Sequence, residues 1–134
     1  CVLKTKQEAI ILASIIEKET NQEHSEIAGV YINRLRKGMR LQACPTVIYA
    51  LTFGNALGRS LTKEDLRYES PFNTYRHSGL TPTPICNPSR ASILAVLHPA
   101  STDNLFFVFD KRSKHLFSKT YAEHLRKKRI ANRR

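Results

Sequence analysis

Residues 7 to 20 read QEAIILASIIEKET, and Ala9, Ile10, Ile11, Leu12, Ala13, Ile15 and Ile16 occupy most of the circumference of a helical wheel. That spread predicts a helix buried on nearly every side. A second helix is expected with Ser25 as N-cap, Ile27, Val30, Tyr31 and Leu35 turned inward, and Arg34, Arg36 and Lys37 near its negative end before Gly38. MRLQ after it reads as extended chain.

Pro45 suits the first turn of a third helix, TVIYALTF, with Cys44 in the cap position and Gly54 as its stop. Thr62 and Asp65 have capping-box spacing before a short helical turn. Residues 70 to 88, SPFNTYRHSGLTPTPICNP, are punctuated by Pro and Gly and predict a long ordered loop, a kind of segment that tends to carry function. Asn87 and Pro88 read as the cap and first position of a helix running to Leu97 and closed by Pro99. LFFVF (105 to 109) and KHLFS (114 to 118) flank the polar DKRS turn and predict a β-hairpin. Thr120 and Glu123 form a capping box for a last helix. The expected fold is a single, mostly helical α+β domain spanning 1–134, with a small β-hairpin sheet and a Pro/Gly loop lining a cleft.

The 134 residues, 41% hydrophobic, suit one such domain with a moderate core. Neither an apolar run of membrane-spanning length nor a signal-peptide pattern is seen. The net charge of +11 would suggest an anionic partner, but its location changes that reading. Residues 1–110 hold 12 Lys/Arg against 10 Asp/Glu, whereas residues 111–134 hold 10 against Glu123 alone. A neutral body with a basic tail, 126–134, is the picture. A solvated helix end explains such a tail more simply than nucleic acid does, and no aromatic residue follows Tyr121 to stack on bases. Cys1, Cys44 and Cys86 lack CxxC spacing, and the five histidines form no metal-ligand pattern, so no metal is assigned. SLTK at Ser60 matches SxxK by letters alone, without SDN or KTG.

The chemistry concentrates on Glu17 and Glu19, which point to roughly opposite sides of the first helix at about 100° per residue. Glu19 projects beside Leu12, Ile15 and Ile16, and Glu17 over Ala13 and Ile10. A carboxyl held against bulky apolar groups keeps its proton to higher pH and can serve as a general acid. From periodicity alone, two helix-end carboxylates reaching water is the simpler account. Asp103 and Asp110 read as turn residues, so a two-carboxylate glycosidase is not indicated.

ASIIEKET, IAGVYINRLRKGMRLQ, PTVIYA, SPFNTY, GLTPTPI and NPSRASILAVLHPA resemble, in order and spacing, the catalytic domain of the endolytic murein transglycosylases, the MltG/YceG-like family, from about Ile10 to His124. The resemblance implies an enzyme that cuts the β-1,4 bond between N-acetylmuramic acid and N-acetylglucosamine inside peptidoglycan strands, leaving 1,6-anhydromuramyl ends, without a cofactor. It implies Glu19, the second glutamate of EKET, as the catalytic acid/base. Asn33, Gln42, Tyr49, Asn73 and Tyr75, polar groups in the matching segments, are the expected saccharide-binding residues. Family members carry an N-terminal membrane anchor and a LysM-like region ahead of this domain, so the chain is expected to be a periplasmic catalytic fragment of an inner-membrane-anchored protein. Glycan strands are its implied partner, with peptidoglycan synthases as a further partner class. The chain departs from the family's usual LQTDPTVIYG in having Cys44 for Asp, from its usual connector length in NQEHSE, and from its hairpin glycine in DKRSKH. These departures set up a rival expectation, a catalytically impaired module that binds the wall or a synthase.

Overall fold

Thr5 caps the first helix: its hydroxyl accepts from the Glu8 N–H, and the Glu8 carboxylate accepts from the Thr5 N–H. This reciprocal box starts α1 at Lys6, a residue earlier than the apolar run suggests, and α1 spans Lys6–Glu19. In the computed structural model, which describes residues 2–110 and 114–132, the other elements are α2 (His24–Arg36), α3 (Cys44–Thr52), a 3-10 turn (Asp65–Arg67), α4 (Arg90–Leu97), the antiparallel strands β1 (Phe106–Asp110) and β2 (Lys114–Ser118), and α5 (Tyr121–Asn132). The result is the expected α+β domain.

Helix α1 is its axis. Ile11, Leu12, Ala13, Ile15 and Ile16 are buried against α2, α3 and α4, and each large aliphatic side chain so removed from water contributes about 1.5–3 kcal/mol. Leu12→Ala would leave a hole costing about 2–5 kcal/mol. α2 crosses so close to the segment after α4 that a Cβ on Gly29 would stand 2.8 Å from the Ala100 carbonyl oxygen. Its C-terminus is a Schellman turn: the Met39 N–H donates to the Arg34 carbonyl, the Gly38 N–H to that of Leu35, and Gly38 takes φ +70°.

Several boundaries differ from the sequence reading. α2 begins at His24, because Thr20 rather than Ser25 serves the turn, its Oγ1 accepting from the Gln22 and Glu23 N–H groups. Gln42 is not extended but left-handed, φ +51°. Ala43 is the N-cap of α3, which makes Cys44 its first helical residue, and Phe53 ends the helix in a left-handed cap instead of continuing it. Ser89, not Asn87, caps α4, its side chain accepting from the Ser92 N–H. The Thr62–Asp65 box forms as expected and is reinforced by Arg59, which grips the Asp65 carboxylate and holds it ionised well below the usual range.

The loop after Pro71 has no helix or strand, and its order comes from side chains. The Asn73 amide donates to the Leu66 and Tyr68 carbonyls and its Oδ1 accepts from the Tyr75 N–H. Thr74 Oγ1 accepts from the Ala43 N–H and meets Thr46 Oγ1 at 2.8 Å, which ties the loop to the start of α3. The hairpin forms, with Phe107 opposite Phe117 and Phe109 opposite His115. Of its DKRS turn, residues 111–113 lie outside the described residues. α5 packs across the hairpin, and the basic stretch from 126 is helical through Asn132 with Ala131 buried and Lys127 donating to the Phe117 carbonyl. That stretch is a seated helix rather than a frayed end. Among the described residues no helix is long and apolar enough to cross a membrane. Cys44 and Cys86 are free thiols.

Candidate active site

The last turn of α1 sends its two carboxylates to different neighbours. Glu17 Oε1 accepts from the Ser89 N–H and from the Ser92 hydroxyl, both at 2.8 Å, which places an anion at the N-terminal end of α4. Hydrogen bonds to its charged form, with the helix dipole behind them, lower its pKa from 4.5 to about 2. At neutral pH it is an ionised brace between two helices.

Glu19 faces away from α4. It is half-buried, and the loss of surrounding water raises its pKa above the ordinary 4.5, opposed in smaller measure by His115 and by the Tyr31 hydroxyl. Tyr31, wholly buried on α2, donates to Glu19 Oε2 at 3.4 Å. Burial and the Glu19 carboxylate push the phenol well above its usual range, so it keeps its proton and acts as a donor. The ring is set by an edge contact with Phe107.

Two cavities adjoin Glu19. The first, about 280 Å³, runs along Lys18, Asn21, Gln22 and His115. The second, about 210 Å³, is walled by Arg34, Gln42, Cys44, Tyr75, the strand β1 and α5. Glu19 and Phe109 are the described residues that line both. No second carboxylate lines either one among the described residues.

Of the residues expected from the sequence, Gln42 and Tyr75 join Glu19 in the second cavity. The left-handed backbone of Gln42 and the Thr74 staple carry them there. Tyr75 Oη meets Cys44 Sγ at 3.3 Å, and burial raises the pKa of both groups. The structure does not bring the other three to Glu19. Asn33 donates to the Thr102 and Asn104 carbonyls and lines a separate cavity of about 460 Å³ with Gly29 and Arg36. Asn73 is fully buried in the loop staple. Tyr49 packs on Phe53 and Phe72 and borders another cavity with Lys18 and Ile85. Of the Pro/Gly loop, only Tyr75 reaches a Glu19 cavity among the described residues.

Residues not singled out from the sequence complete the site. Arg34 is buried, donates through Nε to the Leu105 carbonyl and through Nη1 to that of Arg40, and lies 5.0 Å over the Phe106 ring. Burial lowers its pKa. Its signal was available, since Arg34 continues the Ile27–Tyr31 apolar stripe. His115 is buried in the hairpin with Nδ1 3.0 Å from Glu23 Oε1, which also accepts the His115 backbone N–H. His124 stacks on Phe106, with a ring separation of 5.2 Å.

A sequence profile of the YceG-like family matches residues 2–130. The chain is 44% identical over 117 residues to an endolytic murein transglycosylase of Bacillus subtilis, covering 86% of this chain and 32% of that protein. It is 34% identical over 113 residues to one of Streptococcus pneumoniae, covering 79% and 20%. The chain therefore spans about a third or less of the length of these relatives. A crystal structure of a YceG-like protein from Listeria monocytogenes superposes with a TM-score of 0.81 at 42% identity, over 90% of this chain and 38% of that one.

Proposed function

The chain belongs to the YceG-like family, and on that premise we propose that it carries the catalytic site of an endolytic peptidoglycan lytic transglycosylase. The observation that supports this most is a single carboxyl of raised pKa, Glu19, between two cavities with no second carboxylate facing it among the described residues. Hydrolytic glycosidases commonly need two carboxylates, one as acid and one as base or nucleophile. A reaction whose nucleophile belongs to the substrate needs only one.

In the proposed turnover Glu19 gives its proton to the glycosidic oxygen as the bond from muramyl C1 to that oxygen breaks. The muramyl C6 hydroxyl oxygen then bonds to C1, closing the 1,6-anhydro ring, and its proton passes to the Glu19 carboxylate. The acid is regenerated and no water is consumed. Holding both reacting groups on one sugar replaces a bimolecular attack with an intramolecular one. The Tyr31 hydroxyl holds the carboxylate in place while it is charged. Gln42 and Tyr75 are the saccharide-binding candidates that fit this arrangement, whereas Asn33, Asn73 and Tyr49 serve the fold around it. This reading places the domain outside the cytoplasmic membrane, where the wall polymer lies, and leaves peptidoglycan synthases as its natural partner class.

Purified glycan strands incubated with the protein and analysed by mass spectrometry test the proposal. Internal cuts ending in anhydromuramyl residues, strongly reduced with Glu19→Gln, are expected. Ends carrying an added water would make the enzyme a hydrolase. Binding without cuts would favour the rival scaffold module, for which Cys44 at the cavity wall is the supporting departure.

A further inference from the structure

We propose that Phe109 is a stacking platform for a pyranose ring of the glycan strand, presented beside Glu19 by the β-hairpin. The inference rests on the transglycosylase reading and adds to it a residue that positions the substrate.

Three observations carry it. Phe109 is 56% exposed, an uncovered aromatic ring next to a polar catalytic candidate. With Glu19 it forms the wall common to both cavities, so a chain of sugars running from one cavity into the other must pass over the ring. The ring is also held: Phe109 pairs across the hairpin with buried His115, their rings 5.5 Å apart edge to face, and His115 is tied through Nδ1 and its backbone N–H to Glu23. Glu23 sits in the short turn between α1 and α2 that Thr20 Oγ1 organises, four residues from Glu19. One compact connection therefore sets both the acid and the ring.

The chemistry of a sugar suits that wall. A pyranose has a face of C–H groups and a rim of hydroxyl and acetamido groups. The C–H face gains by leaving water for an aromatic surface, while the rim needs polar partners such as Gln42 and Tyr75. An exposed apolar surface rimmed by polar groups is a common mark of a ligand groove. A ring covering one sugar face would also keep water from the carbon at which the C6 hydroxyl must attack.

The chain has no tryptophan, so Phe109→Trp in a Glu19→Gln background places a single tryptophan at this position, whose emission lies to the red of that of the five tyrosines. Titration with an N-acetylglucosamine tetrasaccharide should shift its emission saturably. A tryptophan at Phe53, 77% exposed and lining neither cavity, should not respond. With Glu19 intact, Phe109→Leu should raise KM for glycan strands by tenfold or more with kcat changed less than threefold, and Phe109→Tyr should restore KM. A silent emitter at 109, or wild-type KM in Phe109→Leu, would overturn the proposal. If the wild-type protein leaves strands uncut, the transglycosylase reading fails, and the emission change still decides whether this ring meets sugar.

Discussion

On one side of the final turn of α1, Glu17 meets the N–H and hydroxyl donors that open α4; on the other, two residues later, Glu19 meets a buried phenol and the aromatic hairpin. The same side chain on the same helix is driven in opposite directions. Donors aimed at the charged form hold Glu17 ionised down to about pH 2, whereas removal of water makes Glu19 keep its proton above its usual range. Position along a helix therefore does not decide how a carboxylate titrates. The partners supplied by the facing element do.

The largest effect expected from this contrast is on turnover. Glu19→Gln should lower glycan cleavage by about 10²–10⁴-fold, the range in which a general acid acts, with the fold retained. Glu17→Gln should leave folded protein that still cuts. Equal losses in the two variants, measured as anhydromuramyl product per folded molecule, would erase the distinction.

Stability should sort them the other way. Glu17→Gln should cost about 1 kcal/mol at pH 7, because it removes the charge from the α4 brace. A lowered folded-state pKa contributes stability that is complete above the unfolded value and lost as pH falls through the folded one. The gap between wild type and Glu17→Gln, read by urea denaturation, should therefore shrink from pH 4.5 toward pH 2. Glu19→Gln should instead stabilise, and by less than the Glu17 loss. A raised folded-state pKa withdraws stability as pH climbs through it, so this gain should be present at neutral pH and absent below about pH 4.5. A gain that persists at pH 3 would point to packing and not to the charge.

Cys44→Asp should give the smallest change in stability. Cys44 is the first residue of α3 and not its cap, so the acidic side chain gains only the helix-dipole contribution, under about 1 kcal/mol. Its effect should appear in the pH profile. Cys44 shares a cavity wall with Glu19, and a second anion there disfavours ionisation of the acid. The alkaline limb of cleavage should therefore move to higher pH. A downward shift would mean that the new carboxylate faces elsewhere.

What could be read from the chain follows the range of the forces involved. The α1 pattern, the Gly38 stop, the hairpin and the Thr62–Asp65 and Thr120–Glu123 caps depend on residues a few positions apart and were legible, whereas the Thr5–Glu8 box that opens α1 was not read. The α3 and α4 caps slipped by one or two positions because Cys44–Pro45 and Asn87–Pro88–Ser89 each offer adjacent residues able to begin a helix. The site was harder. Glu19 stood out through a resemblance, while Asn33 and Asn73 look the same in sequence whether an amide binds sugar or a carbonyl. Asn33 finds its acceptors about 70 positions away, at Thr102 and Asn104. Phe109 and His115 reach Glu19 only because the hairpin folds back over the α1–α2 turn, and no local spacing announces that. Arg34 was the missed residue with a visible signal, a charge on an apolar helical stripe.

The most direct measurement is a carboxyl ¹³C NMR titration of the glutamates in the wild-type protein, with Glu17→Gln and Glu19→Gln used to assign the two signals. A midpoint near 2 is expected for Glu17 and one above 4.5 for Glu19 in the same sample. Coincident midpoints near 4.5, or the reverse order, would contradict this.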